Sequence, residues 1–120
     1  MDLEQMLLEA IAAFENLFIN QWNFIVVFKT ELIIYYKDNR EFEKALTVLE
    51  EAISLTKRNT IPRINVAFTE IELYIDMKDY ISAVNIYKEV VESPIYNSIP
   101  VEQKMKWNLL YKRIIEESKG

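Results

Sequence analysis

The stretch YKDNREFEKA, residues 36–45, decides the fold, because its pattern returns 38 residues later as YIDMKDYISA, residues 74–83. In both stretches a tyrosine precedes an alanine by nine residues, and an aromatic residue precedes the same alanine by three. A further alanine, Ala10, lies 35 residues before Ala45 and also follows an apolar residue by three positions. A period of this length is typical of stacked helical hairpins, because one hairpin cannot bury its own apolar face.

Large apolar or aromatic residues lie three or four positions from each of these alanines, which is the spacing of one helix face. Tyrosines also recur along the chain at about the same period as the alanines. We expect these side chains to pack neighbouring helices together. They are Leu7, Ala10, Phe14, Tyr36, Phe42, Ala45, Leu49, Ala52, Tyr74, Tyr80, Ala83, Tyr87 and Tyr111. The alternative is an ordinary helical bundle whose alanines fall in register by chance.

The composition indicates one globular domain over residues 1–120 and narrows the function. Of the 120 residues, 51% are hydrophobic and 28% are charged, which excludes a disordered chain. The net charge of −5 argues against binding nucleic acid. The chain has no histidine and no cysteine, so the commonest general base and the commonest metal ligands are missing. We therefore expect no catalytic residue, no metal and no cofactor.

The apolar segments do not suggest a membrane protein. The segment 24–36 is too short and too charged to span a bilayer. The first four residues include two acids, Asp2 and Glu4, and no base, whereas a signal peptide would begin with basic residues. A cytoplasmic location without a membrane span is the resulting expectation.

The scarcity of turn residues predicts helices throughout, since the single glycine is Gly120 and there are three prolines. Thr60 or Ile61 should cap the fourth helix, with Pro62 in its first turn, and Asp79 should cap the fifth. The segment 24–28 has strand propensity, but the repeat register and the lack of a hairpin partner favour helix. The six predicted helices cover residues 2–18, 23–37, 41–57, about 61–77, 80–93 and 100–118, with a turn at 20–23.

Charge is distributed unevenly along the chain. Residues 1–20 hold four acids and no base, whereas residues 99–120 hold five bases and three acids. Helix-dipole complementarity and solvated helix faces account for this pattern. The alternative is self-association, for example as a homodimer, in which the acidic end of one copy meets the basic end of another.

The repeated pattern resembles the tetratricopeptide repeat over about residues 7–111. The turns Arg40–Ala45 and Lys78–Ala83 look like the family's usual entry into its second helix. Ile33 and Ile71 depart from the family, which has a small residue at these positions. The family's positions are occupied in one unit by Leu32, Ile33, Tyr36, Phe42, Ala45, Leu49 and Ala52, and in the next by Ile71, Tyr74, Tyr80, Ala83, Tyr87 and Val90.

The resemblance implies an all-α fold, a right-handed superhelix of stacked antiparallel hairpins with about six helices. It also implies a concave groove lined by the first helix of each unit. The corresponding residues are Val27, Thr30, Glu31, Ile34, Asn65, Phe68, Thr69, Glu72, Glu102, Met105, Lys106 and Leu109. Only Lys106 matches the basic residues with which some members bind a terminal carboxylate, so that type of co-chaperone is not expected. Trp22 and Trp107 should pack between helices.

Such a groove is apolar with acidic side chains, which suits an apolar or amphipathic segment of a partner protein. A protein-interaction module, acting as scaffold or chaperone for a protein or peptide partner, is the first functional hypothesis. A peptide-sensing regulatory domain of a bacterial regulator is the second. A self-associating structural unit of helical repeats is the third.

Overall fold

The computed structural model describes residues 2–17 and 22–120, and within them the side chains of all but residues 14–17 and 22–23. These parts of the chain form six α-helices, one 3₁₀ helix and no strand. The helices are α1 (Leu3–Leu17), α2 (Trp22–Asp38), α3 (Phe42–Ser54), α4 (Ile61–Asp76), α5 (Tyr80–Glu92) and α6 (Val101–Ser118), with the 3₁₀ helix at Pro94–Ser98. The predicted all-α fold with six helices is confirmed.

The helical reading of the segment 24–28 is also confirmed, because it lies inside α2. The turn predicted for residues 20–23 is wrong in part, since Trp22 and Asn23 already belong to α2, and residues 20 and 21 lie outside the described residues. The 3₁₀ helix was not predicted. It begins at Pro94, directly after Ser93, the C-cap of α5, and proline cannot continue that helix because it has no backbone N–H to donate.

The Cα positions divide the chain into two compact units, Met1–Lys57 and Arg58–Gly120. Unit 1 contains α1 to α3, and unit 2 contains α4 to α6 and the 3₁₀ helix.

The two units contain the same helix-to-helix turn. Arg40 and Lys78 both take left-handed backbone conformations, with φ of 61° and 63°. In each turn the next residue donates its backbone N–H to the carbonyl oxygen of the tyrosine, Tyr36 or Tyr74, at 2.8 Å. This bond and the positive φ define a Schellman motif, so the 38-residue repeat of the sequence is also a repeat of backbone structure.

The predicted caps of α4 and α5 are present. The Thr60 side chain accepts a hydrogen bond from the Arg63 N–H at 3.4 Å, and Pro62 stands in the first turn. The Asp79 carboxylate accepts from the Ser82 N–H at 3.1 Å. These side chains satisfy backbone donors that a helix start leaves without partners.

In unit 1, side chains join α1 and α3 to the central helix α2. The Tyr36 hydroxyl donates to Glu4 Oε2 at 2.6 Å, and burial together with this carboxylate raises the pKa of Tyr36 to about 12. The Lys29 ammonium, on a largely buried side chain, donates to Glu51 of α3 at 2.8 Å.

The packing residues predicted for unit 1 differ in burial. Ala45 and Ala52 are fully buried, and Leu7, Leu49 and Tyr36 are also buried, but Phe42 is only half-buried. Ala10 is also half-buried, because it lies at the edge of the buried face of α1 that contains Leu7 and Ile11. The side chain of Phe14 lies outside the described residues.

The core of unit 2 is a cluster shared by its three α-helices. Ala83 of α5 is fully buried in it, and half-buried Tyr74, Tyr80 and Tyr87 pack against it. Burying each large aliphatic side chain contributes about 1.5–3 kcal/mol, so this cluster stabilises the packing of the three helices. Its buried members are Ile64, Ala67, Ile71, Ile75, Ala83, Val90, Ile99, Trp107, Leu110 and Ile114.

Within residues 2–17 and 22–120, no helix combines the length and the apolar character needed to cross a bilayer.

The shared turn predicts the effect of glycine at Lys78. A side chain in the left-handed conformation is strained, so Lys78→Gly should stabilise the protein by about 0.5–1 kcal/mol. Lys88→Gly is the matched control, because Lys88 is an exposed residue inside α5, where glycine should destabilise by about 1 kcal/mol. Urea denaturation measures both changes. Equal destabilisation by the two variants would contradict the assigned turn.

Candidate functional site

A pocket of about 250 Å³ opens between α4 and α6 in unit 2. Asn65 and Phe68 of α4 line it together with Gln103, Lys106 and Trp107 of α6. Three of these residues, Asn65, Phe68 and Lys106, belong to the groove predicted from the sequence. The structure brings them together because α4 and α6 pack against each other.

Aromatic rings form the base of this pocket and fix its position. The Phe68 ring meets Trp107 edge to face, with centroids 5.2 Å apart and planes at 86°. Trp107 is 3% exposed, and its ring centroid also lies 6.2 Å from that of Tyr87 of α5. Tyr87 in turn stacks on Tyr111 at 4.7 Å. The chain of rings joins all three α-helices, so the pocket is built on the core rather than on a loop.

Phe68 belongs to both the core and the pocket of unit 2. Its side chain is half-buried, packs against the core cluster and also lines the pocket. Trp107 packs between helices, as expected. The side chain of Trp22 lies outside the described residues.

Lys106 is the cation of the pocket. It is exposed, and it has no carboxylate partner among the residues that the structure describes. The two other polar lining residues, Asn65 and Gln103, are uncharged. The pocket therefore combines an apolar base with a positively charged rim.

Ion pairs to Arg113 hold α6 against α4 beyond the pocket. The guanidinium lies 3.3 Å from Asp76 and 3.8 Å from Glu72 of α4, and 2.6 Å from Glu117 of its own helix. Partial burial lowers the pKa of Arg113, but the hydrogen bond to Glu117 and the three carboxylate charges outweigh it and leave the pKa above its usual value. Glu72, expected in the groove, is thus engaged by an arginine.

The remaining predicted groove residues of unit 2 do not line the pocket. Thr69 is 4% exposed and belongs to the buried surface of α4. Met105 and Leu109 are 58% and 65% exposed, and neither is among the lining residues. Glu102 is exposed at the start of α6 and does not line it either.

Four predicted groove residues lie in unit 1, on α2. Val27 and Glu31 are exposed, whereas Thr30 and Ile34 are half-buried. The Thr30 hydroxyl donates to the Val26 carbonyl oxygen at 2.8 Å, so it is engaged by its own helix. Their assignment to a groove stays a prediction.

Sequence reasoning missed a second, larger pocket of about 400 Å³, where α4 begins and α5 ends. Arg58, Arg63, Glu89 and Glu92 provide its charged lining, with Ile64 among the apolar residues. The two arginines around the start of α4 were the sequence signal for this pocket. They could not be interpreted from the sequence, because only the structure shows that Glu89 and Glu92 of α5 line the same pocket.

A buried ion pair adjoins this second pocket. Arg63 Nη2 lies 3.6 Å from Glu70 Oε1, and Glu70 is 4% exposed. Burial raises the pKa of Glu70 above its usual value, although the positive charge of Arg63 opposes the change. Arg63 Nη1 and Glu70 Oε1 are buried without a hydrogen-bond partner in the described part of the chain.

Comparisons of the chain with models of protein families, with curated proteins and with solved structures found no match.

The Arg113 ion pairs predict a modest loss of stability in Arg113→Met. The substitution keeps an unbranched, mostly apolar side chain but removes the guanidinium and its contacts with Asp76, Glu72 and Glu117. Because the arginine is partly exposed, we expect a loss of about 1 kcal/mol at low salt, and less at high salt. Lys112→Met, at the exposed neighbouring position, should change the free energy of unfolding by less than about 0.5 kcal/mol. Equal effects in urea denaturation would show that the ion pairs do not hold α6.

Proposed function

We propose that the chain is a protein-interaction module of the tetratricopeptide type, a scaffold or chaperone that binds an apolar or amphipathic segment of a partner protein. The observation that carries the proposal is the aromatic pocket between α4 and α6, lined by Phe68, Trp107 and Lys106. Aromatic residues are enriched among those that dominate binding energy at protein interfaces.

The repeated turn supports the family assignment. Schellman motifs at Arg40 and Lys78 precede equivalent helices, and each helix buries an alanine, Ala45 or Ala83, at the same position. We propose that the hairpins continue this repeat as a right-handed superhelix within one domain.

The size of the pocket favours a side chain as its occupant. Pockets for small-molecule ligands usually have about 300–1,000 Å³, and this pocket has about 250 Å³. One large apolar side chain of the partner would insert against Phe68 and Trp107. The remaining apolar side chains of the segment would follow the contact between α4 and α6.

Lys106 gives the pocket a preference for a negatively charged residue in the partner segment. A carboxylate close to the inserted side chain would pair with its ammonium at the rim. Basic residues in the partner segment are less suited to this pocket, because Lys106 lines it and Glu72 is already paired with Arg113. We propose a partner segment with one large apolar side chain and an acidic residue beside it.

The proposed activity is binding rather than catalysis. A chain without histidine lacks the side chain most often used as general base. The absence of cysteine is compatible with a reducing compartment, and we place the protein in the cytoplasm.

Substitution of Asn65 tests the pocket. Asn65→Arg places a long side chain over the opening and should weaken partner binding at least tenfold, or by about 1.4 kcal/mol. Asn85→Arg is the control, because Asn85 is the same residue type, is also exposed and lies on α5 away from the pocket. Affinity capture from the native lysate with mass spectrometry identifies the partner, and titration with a peptide from that partner measures the dissociation constant.

The expected result is a partner that binds the unmodified protein and Asn85→Arg alike and is lost with Asn65→Arg. Trp107 fluorescence in a Trp22→Phe background should change when the peptide binds, because Trp107 lines the pocket. Equal affinity of all three proteins, or a peptide that leaves Trp107 fluorescence unchanged, would refute the pocket as the binding site.

A further inference from the structure

The helix α6 has a second apolar surface, on the side opposite its buried face. Trp107, Leu110 and Ile114 are buried, whereas Met105 and Leu109 are 58% and 65% exposed. Val101, four residues before Met105, is 71% exposed. Residues four apart form a continuous ridge on a helix. We call Val101, Met105 and Leu109 the outer ridge of α6.

The helix α1 also exposes apolar side chains in a row. Leu3 and Met6 are 50% and 53% exposed, Ala10 is half-buried and Ala13 is exposed. Their spacing of three, four and three residues places them along one side of the helix. The two alanines allow a second helix to approach closely. We call Leu3, Met6, Ala10 and Ala13 the α1 row.

The charges beside these two surfaces are complementary. Exposed Asp2 and Glu9 accompany the α1 row, and residues 1–20 contain no base. Lys104 and Asn108 stand one position before the ridge residues Met105 and Leu109, and Lys112 continues their spacing of four. Lys112 is exposed and has no ion-pair partner within residues 2–17 and 22–120.

We propose that the outer ridge of α6 in one copy docks on the α1 row of a second copy. Burial of Val101, Met105, Leu109, Leu3 and Met6 provides the attraction, because all five side chains are exposed in the single chain. The basic row beside the ridge then faces the acidic side of α1, which fixes the orientation.

The same charges disfavour a symmetric contact between two α6 helices. In an antiparallel pair of identical helices related by a two-fold axis, equivalent flanks face each other. Such a pair would place the row of Lys104 and Lys112 opposite the same row of its partner. Contact with α1 avoids this repulsion.

The contact is of the head-to-tail type, in which each copy binds one neighbour through its outer ridge of α6 and another neighbour through its α1 row. It involves one helix from each copy and is therefore smaller than a standard interface of about 800 Å² per partner. We expect association that reverses on dilution and weakens as salt screens the charges.

Three matched variants test the proposal by sedimentation velocity over a range of concentrations. Met6→Asp removes the α1 surface, Met105→Asp removes the α6 surface, and Ile81→Asp changes a still more exposed apolar residue of α5 outside both. Because all three positions are solvent-exposed, the helix content measured by circular dichroism should stay unchanged.

The unmodified protein and Ile81→Asp should form larger species as concentration rises, and fewer of them at high salt. Met6→Asp and Met105→Asp should each remain monomeric. An equimolar mixture of these two should form a dimer and nothing larger, because one copy keeps its α6 ridge and the other keeps its α1 row.

Three results would overturn the proposal. The first is an unmodified protein that is monomeric at every concentration, as it would be if both surfaces served another protein. The second is association of Met6→Asp alone, which would indicate an α6–α6 contact. The third is a mixture that stays monomeric. None of these results bears on the pocket of Phe68 and Trp107, since Met6, Met105 and Ile81 do not line it.

Discussion

Close packing around a buried alanine is the constraint on which the hairpin of unit 2 depends. Ala83 is fully buried in a cluster that also contains Ala67 and Ile71 of the facing helix. A methyl group at this position lets α5 approach α4, and tyrosines of α4 and α5 fill the space on either side. The Schellman turn at Lys78 connects α4 to α5 and directs α5 into this contact. The pocket follows from the same packing, because Tyr87 of α5 contacts Trp107 at its base.

Local signals explain why so much of the secondary structure is predictable. Asp79 and Thr60 cap helices because their side chains reach backbone donors within three residues, which a sequence displays directly. The segment 24–28 shows the limit of such signals, since β-branched and aromatic residues favour strands on propensity alone. The repeat identified it correctly as helix. The 3₁₀ helix at Pro94–Ser98 has no periodic signal and went unpredicted.

The site was predictable where it follows helix periodicity and unpredictable where it depends on how helices pair. Asn65, Phe68 and Lys106 were placed together by register, and they do line one pocket. The same register placed Met105 and Leu109 beside them, although these residues form a ridge on the other side of α6. Which of two apolar faces a helix buries depends on its tertiary neighbours. The ion pairs of Arg113 with α4 were missed because its partners there lie on another helix, far away in sequence. The pair of Arg63 and Glu70 lies within α4 and was missed because its significance depends on burial, which tertiary packing decides.

Side-chain size at position 83 provides the most direct test of the central claim. A series of Ser, Val and Leu at this position, compared with alanine, increases the volume forced into the contact between α4 and α5. If close approach of the helices is the constraint, the free energy of unfolding falls with each increase in size, and Ala83→Leu loses about 1–3 kcal/mol. The same series at exposed Asn85 should show no such trend. A protein whose stability changes by less than about 0.5 kcal/mol from alanine to leucine at position 83 would contradict the account.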